Sequence, residues 1–425
     1  MKDGFAFPTR PLPKLARIRQ RVLTDHIADV RKETRQKLLD AGLHEKLKPG
    51  ASVAITAGSR GMGGFVELLS GIVDAVQSVG GKPFFIPAMG SHGAARAEGQ
   101  TEILRRLGVT ADTVAAPIRA TMDTIELGTA KSGAVAHLDA IAAQADGIIV
   151  LGRTKTHPEN TEGIASGLLK MTTVGLGKQK GAQEAHSHGL WESVKAVPEL
   201  TLASGKVLFG VAVVENALRQ PVIIEVQPGK YEAFKEADER LLLASRPYST
   251  HVPFADLDLL IVDELGKNIS GTGMDLNVIG KWRMKGGEHK PDFRRIVALS
   301  LTRPSLGNGL GIGLADFTTR RFAEEYDPQA TYVNLLTATE PGAMNTREGP
   351  LPLALGSDRE AIGVALYSGL TGPQPRICRI RSTALLEEFF VSESLLEEVR
   401  KNPDLSVLQG PQEIEFNAAG DLAAF

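Results

Sequence analysis

Short apolar runs separated by helical stretches constrain this chain more than any other feature. Ala51-Ser52-Val53-Ala54-Ile55-Thr56-Ala57 is such a run, and it ends at Gly58. Leu68, Leu69, Ile72, Val73, Val76 and Val79 then fall on one face of a helix over 65–79, which Gly80-Gly81 stops. The alternation continues with a strand over 82–87, a helix over 98–107, a helix over 139–145 and strands over 147–151 and 207–214. Runs of this length, without polar alternation, predict strands buried on both faces. Such strands belong to a mostly parallel sheet covered by helices. The first forty residues read as a proline-held arm followed by a helix, because Ile18, Val22, Ile27, Val30, Leu38 and Leu39 recur at helical spacing.

A polar stretch over 245–253, punctuated by Pro247 and Pro253, predicts a boundary. Beyond it, 257–262 and 296–301 read as strands and 316–326, 359–367 and 393–401 as helices. At 425 residues the chain exceeds one ordinary core. The fold class expected is therefore α/β: two α/β domains with mostly parallel sheets and an active-site cleft between them. Residues 1–250 form the first domain, with the cofactor-binding and histidine motifs. Residues 251–425 form the second, which closes the cleft.

Charge and cysteine content narrow the function. The net charge is -2, so neither a nucleic-acid footprint nor a polybasic membrane patch is expected. No apolar stretch has the length of a signal peptide core or a membrane span. Cys378 stands alone, which excludes an internal disulfide and any Cys-rich metal cage within one chain. Its setting, Pro375-Arg376-Ile377-Cys378-Arg379-Ile380, reads as a strand with a buried thiol. A cytoplasmic location is expected.

In open α/β sheets, ligands collect beyond the carboxyl ends of the strands. The segments there are 58–64, 89–93, 152–158 and 264–273, and each pairs glycine with a cationic or titratable residue. Such loops suit an anion. The stretch 152–189 is densest in these residues, with His157, Lys170, Lys178, Lys180, His186 and His188 among many glycines. That composition argues against an ordinary buried helix, since glycine disfavours helix and the cations need solvent or a partner. Familiar motifs fail. A phosphate loop around Gly177-Lys178 would need Gly at 172 and Ser or Thr at 179, where Thr and Gln stand. The dinucleotide fingerprint, the His-Glu-x-x-His zinc motif and the Gly-x-Ser-x-Gly elbow are absent.

Taken in order, the landmarks resemble the lactate racemase family, whose members carry a nickel-pincer nucleotide. They are Ser59-Arg60, Gly90-Ser91-His92 with Glu98 beyond, His157, Ser166-Gly167-Leu168-Leu169-Lys170, Val174-Gly175-Leu176 and His186. The resemblance covers residues 50–190. The segment 267–275 departs from the lactate enzyme and reads as a divergent branch.

The resemblance implies an isomerase that racemises or epimerises a small 2-hydroxy acid, sugar acids included. Hydride would pass reversibly to a nickel-pincer nucleotide, with His92 and His157 as acid and base. It further implies Lys170 as the covalent anchor, and His186 as the nickel ligand with His188 as its competitor. Arg60 would hold the substrate carboxylate or a cofactor phosphate, and Lys267 or Lys281 would add a second cation. The proteins that make the cofactor are implied partners. Two other readings stay open: a nicotinamide-dependent dehydrogenase, and a non-catalytic nucleotide- or cofactor-binding protein.

Overall fold

The computed structural model describes residues 7–59, 61–157, 163–339, 345–370 and 372–425. The chain divides into two compact units. One comprises residues 1–22, 250–332 and 344–425, the other 23–249 and 333–343. The leading residues thus pack with the C-terminal block. The helix expected to begin near Ile18 starts later, at Val30–Asp40, and Leu15–Gln20 is instead a strand, β1. Leu15, Ala16 and Ile18 are buried there. The apparent helical spacing joined residues of two different elements.

The unit of 23–249 holds β2 (Ser52–Ala57), β3 (Lys82–Pro87), β4 (Thr124–Thr129), β5 (Val135–Asp139), β6 (Gly147–Arg153), β7 (Val207–Glu215) and β8 (Pro221–Pro228). β4 and β5 form an antiparallel pair. The other five make one sheet in the order β3-β2-β6-β7-β8. β2 runs parallel to both neighbours, β6 parallel to β7, and only β8 is antiparallel. Side chains of β2 and β6 are almost wholly buried, as their continuous apolar runs require. Helix Phe65–Ser78 buries Leu68, Leu69, Ile72, Val73 and Val76, the stripe read from the sequence.

The second unit holds β9 (Asp256–Leu265), β10 (Asp292–Leu301), β11 (Phe317–Thr319), β12 (Leu353–Leu355), β13 (Ile377–Ser382), β14 (Leu385–Ser392) and β15 (Leu405–Gln412). With β1 they form one sheet, ordered β12-β11-β10-β9-β13-β14-β1-β15. The stretch β12 to β13 is parallel and the rest antiparallel. The helix expected over 316–326 is shorter, Arg320–Glu325, because Phe317-Thr318-Thr319 joins the sheet. Both threonine hydroxyls donate to β10 carbonyls, at 2.7 Å each, and Thr319 Oγ1 also accepts from Phe322 N to cap the helix. Cys378 on β13 is fully buried, and burial pushes its thiol pKa up, away from the reactive thiolate. Among the described residues, no helix is long and apolar enough to cross a membrane.

Phe234, on helix Tyr231–Ser245, is fully buried in the core of the first of these sheets. A Cβ on Gly210 of β7 would come within 2.6 Å of its ring and 2.7 Å of Leu168. Phe234→Ala should therefore open a cavity that the flat glycine surface cannot refill. The expected loss is about 3–5 kcal/mol, read as a lower urea midpoint. A midpoint within experimental error of wild type would show that the helix is not held this way.

Candidate functional site

β2 leads to β3 on one side of the sheet, and the chain from β3 then crosses to β6 on the other side of β2. The carboxyl ends of β2 and β6 are therefore a topological switch point, where loops part and leave a crevice. The backbone shows the parting. The β2–β6 register ends at Ile55 opposite Ile149, and the Leu151 amide turns to the Thr56 hydroxyl, at 2.9 Å.

A pocket of about 780 Å³, part of it open to solvent, lies at this edge. Gly58 and Ser59 line it from the end of β2, and Met89 and His92 from the end of β3. Arg153 and Lys155 enter from β6. The opposite wall is Lys170, Met171, Val174 and Gly175, a spacing that puts all four on one helical face. The helix widens there, with Leu176 N donating to Met171 O at 3.0 Å over the π-turn Met171–Gly175. Single π-turns of this kind are frequent at functional sites. All these residues belong to the unit of 23–249.

The electrostatics favour an anion. The described lining includes Arg153, Lys155 and Lys170 and no carboxylate. Glu215, at the end of β7, accepts from Arg153 at 2.7 Å and from the Gly63 amide at 2.6 Å. Arg219, in the turn after β7, donates to Gly61 O at 3.2 Å. Burial, and then the Arg153 charge, pull its pKa down. One carboxylate thus faces two guanidiniums. The loop is held tightly, since a Cβ on Gly63 would lie 1.5 Å from Arg219 O.

His92 sits in a strained loop. Ala94 and Ala95 behind it adopt left-handed φ of 55° and 54°, which costs a non-glycine residue about 1–2 kcal/mol each. Gln100 imposes that shape by donating to Gly90 O at 2.8 Å and His92 O at 3.2 Å. Its carbonyl in turn accepts from Lys178 at 2.9 Å. Lys178 is fully buried, donates to Pro87 O at 2.7 Å and lies 3.4 Å from Asp139. Asp139 also accepts from Ile141 N and Ala142 N. Burial lowers the lysine pKa and raises the aspartate pKa, while each partner opposes that shift.

No protein-family model matches this chain, and no curated protein matches it in sequence. Solved structures do. A Thermotoga maritima protein, a structural-genomics target, aligns with TM-score 0.51 and 11% identity over 78% of this chain and 87% of that one. The lactate racemase apoprotein from Thermoanaerobacterium thermosaccharolyticum aligns with TM-score 0.43 and 14% identity over 91% and 92%. Identities this low speak only to the mixed α/β fold.

Of the residues singled out from sequence, His92 and Lys170 line the pocket. His157 does not. It is buried, with its ring edge-on to Trp191 at 4.8 Å, and Lys170 Nζ lies 5.2 Å from that same indole. His186 is outside the lining too, in the last turn of helix Lys178–Ser187. It stands one turn beyond Ala182, whose methyl would be 3.5 Å from a Cβ on Gly90. Arg60 lies outside the described residues. Lys267 and Lys281 belong to the other unit. Lys267 is buried and donates to Gly271 O, and Lys281 precedes helix Trp282–Lys285. The segment 152–189, a poor candidate for an ordinary buried helix, contains helix Lys178–Ser187 with only one face buried, and its buried lysine at 178 has the partners such a cation needs.

Lys178→Met keeps the bulk and removes the charge, which leaves the buried Asp139 carboxylate without its cation. A loss of about 3–5 kcal/mol is expected in urea unfolding. Adding Asp139→Asn should recover part of it. A double variant that loses as much as the two singles summed would mean that the pair is not coupled.

Proposed function

We propose that this chain is an isomerase that inverts the hydroxyl-bearing carbon of a 2-hydroxy acid, using an anionic cofactor tethered at Lys170. The observation that carries the reading is the presence of Lys170 and His92 in one cation-lined pocket at the switch point of a parallel sheet. The order of motifs through residues 59–186 supports the same reading.

The residues present fit a tethered anionic group. Lys170 brings an amine to the pocket, Arg153 and Lys155 suit a phosphate or carboxylate, and Met171 and Val174 offer an apolar wall for a flat ring. Among the described residues, no group of three or more His, Cys, Asp or Glu could hold a metal unaided. A group that brings its own donors and asks for one imidazole suits this chain better, and His186 is the ligand we assign. When bound, a nickel-pincer nucleotide supplies an electron-accepting centre for hydride.

The chain's own part is positioning and proton transfer. Arg153 and Lys155 hold the substrate carboxylate, which fixes the reacting carbon. His92 takes the hydroxyl proton at an imidazole nitrogen and returns it when the product forms. Imidazole suits this because its ordinary pKa is near neutrality. His157 completes the pair for the opposite face in this reading.

The burial of His157 against Trp191 favours a second reading, a non-catalytic protein that binds a nucleotide or the cofactor. Protein from cells that make the cofactor separates the two. The first reading expects an intact-mass adduct that is absent in Lys170→Ala, and loss of optical rotation from a chiral 2-hydroxy acid. An adduct without turnover supports the second, and an unmodified wild-type chain overturns the first. Arg153→Ala should weaken inorganic phosphate binding about tenfold or more by calorimetry, the size of a charge-assisted hydrogen bond. An unchanged affinity would remove Arg153 from the anion site.

A further inference from the structure

Asp238 is a carboxylate where an apolar residue would be expected. It lies on the buried face of helix Tyr231–Ser245, between Phe234 and Ala237 on one side and Leu241 and Leu242 on the other. Its two oxygens are used separately: Oδ1 accepts from Leu168 N at 2.8 Å and Oδ2 from Leu169 N at 2.9 Å. These are the first amides of the turn Leu168–Lys170. The carboxyl group thus caps, from a different helix, the turn that carries the pocket lysine. The approach is so close that a Cβ on Gly167 would lie 2.2 Å from Oδ1. Gly167 and Lys170 both line the pocket, so the cap sits directly behind its wall.

We propose that Asp238 is a positioning residue for Lys170: its carboxyl group fixes the turn that presents the amine to the pocket. This rests on the reading of Lys170 as the tethering residue. Without the cap, the amides of 168 and 169 lose their acceptors. The widened π-turn that follows would then carry Lys170, Met171 and Val174 out of register with the pocket.

The cap also titrates in the neutral range. Burial pushes the Asp238 pKa up to about 7, against the pull of the two amides, and the neighbouring Glu239 charge adds to the rise. Lys170 is the titratable group on the turn it caps. The other elements packed against its helix include β7, β8 and helix Leu190–Ala203. Their charges are in pairs: Glu215 with Arg153, Glu225 with Arg240, Glu199 with Lys131 and Glu192 with Lys195. A carboxyl whose pKa is higher folded than unfolded stabilises at low pH, and that stability is lost as pH rises from about 4 through about 7. Ionisation therefore costs folding stability above neutrality, while it strengthens the carboxyl group's bonds to the two amides.

Pyridoxal 5′-phosphate is a suitable probe, being a phosphorylated aldehyde that reports on a lysine in an anion pocket. The amine adds to the aldehyde carbon, water leaves, and borohydride delivers hydride to the resulting C=N bond to give a stable secondary amine. Labelling is read at the Lys170 peptide by mass spectrometry, with the exposed Lys131 and Lys195 as internal controls. Asp238→Ala should cut labelling at Lys170 at least tenfold while the controls are unchanged. Asp238→Asn keeps an acceptor and should label within about threefold of wild type at pH 6. Wild-type labelling at Lys170 in a folded Asp238→Ala overturns the proposal. Should Asp238→Ala not fold, Asp238→Leu, which keeps the bulk and removes both acceptors, takes its place with the same two outcomes. If wild-type Lys170 labels no faster than Lys131, the tethering reading falls, and this inference with it.

Discussion

One buried contact organises the site-bearing unit: the ammonium of Lys178 among Asp139, Gln100 and the carbonyl of Pro87. Its reach follows from where the partners are. Pro87 ends β3, Asp139 ends β5 and caps the helix after it, and Gln100 sets the carbonyls of the His92 loop. Lys178 itself begins the helix that carries His186. The ammonium donates to Pro87 O and to Gln100 and is ion-paired with Asp139, three different parts of the chain. The His92 loop, the strand that leads to it and the His186 helix are therefore located relative to one charge.

The pocket depends on a different imbalance. Arg153 and Arg219 share Glu215, and the lining adds Lys155 and Lys170 with no acid. The first glycine loop is tied to Glu215 and to the turn after β7. A site held in this way loses little on binding an anion.

Much of the architecture was legible because parallel strands buried on both faces leave an unmistakable run of apolar residues. Strands β2, β3, β6, β7 and β9 are in the places where such runs stand. Sheet order was not, since nothing local says that β6 will lie beside β2. β1 was hidden because Ile18, Val22, Ile27 and Val30 recur at roughly helical spacing although Ile18 and Val30 belong to separate elements. Within the site, His92 and Lys170 were legible from their glycine-flanked motifs. Arg153 and Lys155 stood in a suspected loop but carried no mark of their own. The burial of Lys178 was not legible, because it depends on Asp139 and Gln100, both far away in sequence. Asp238 did leave a signal, a carboxylate on the apolar stripe of an otherwise amphipathic helix.

β1 lies between β14 and β15, with Leu15 opposite both Ser392 and Gln412. During synthesis, this strand is made before the whole of 23–249 and its partners after it. It must therefore wait, unpaired, while the whole of 23–249 is made and is free to fold. Closure of so long a loop makes the final sheet slow to form. Until it does, Leu15, Ala16 and Ile18 are open to other chains. Nascent chains crowded on one messenger would therefore meet with this apolar strand uncovered.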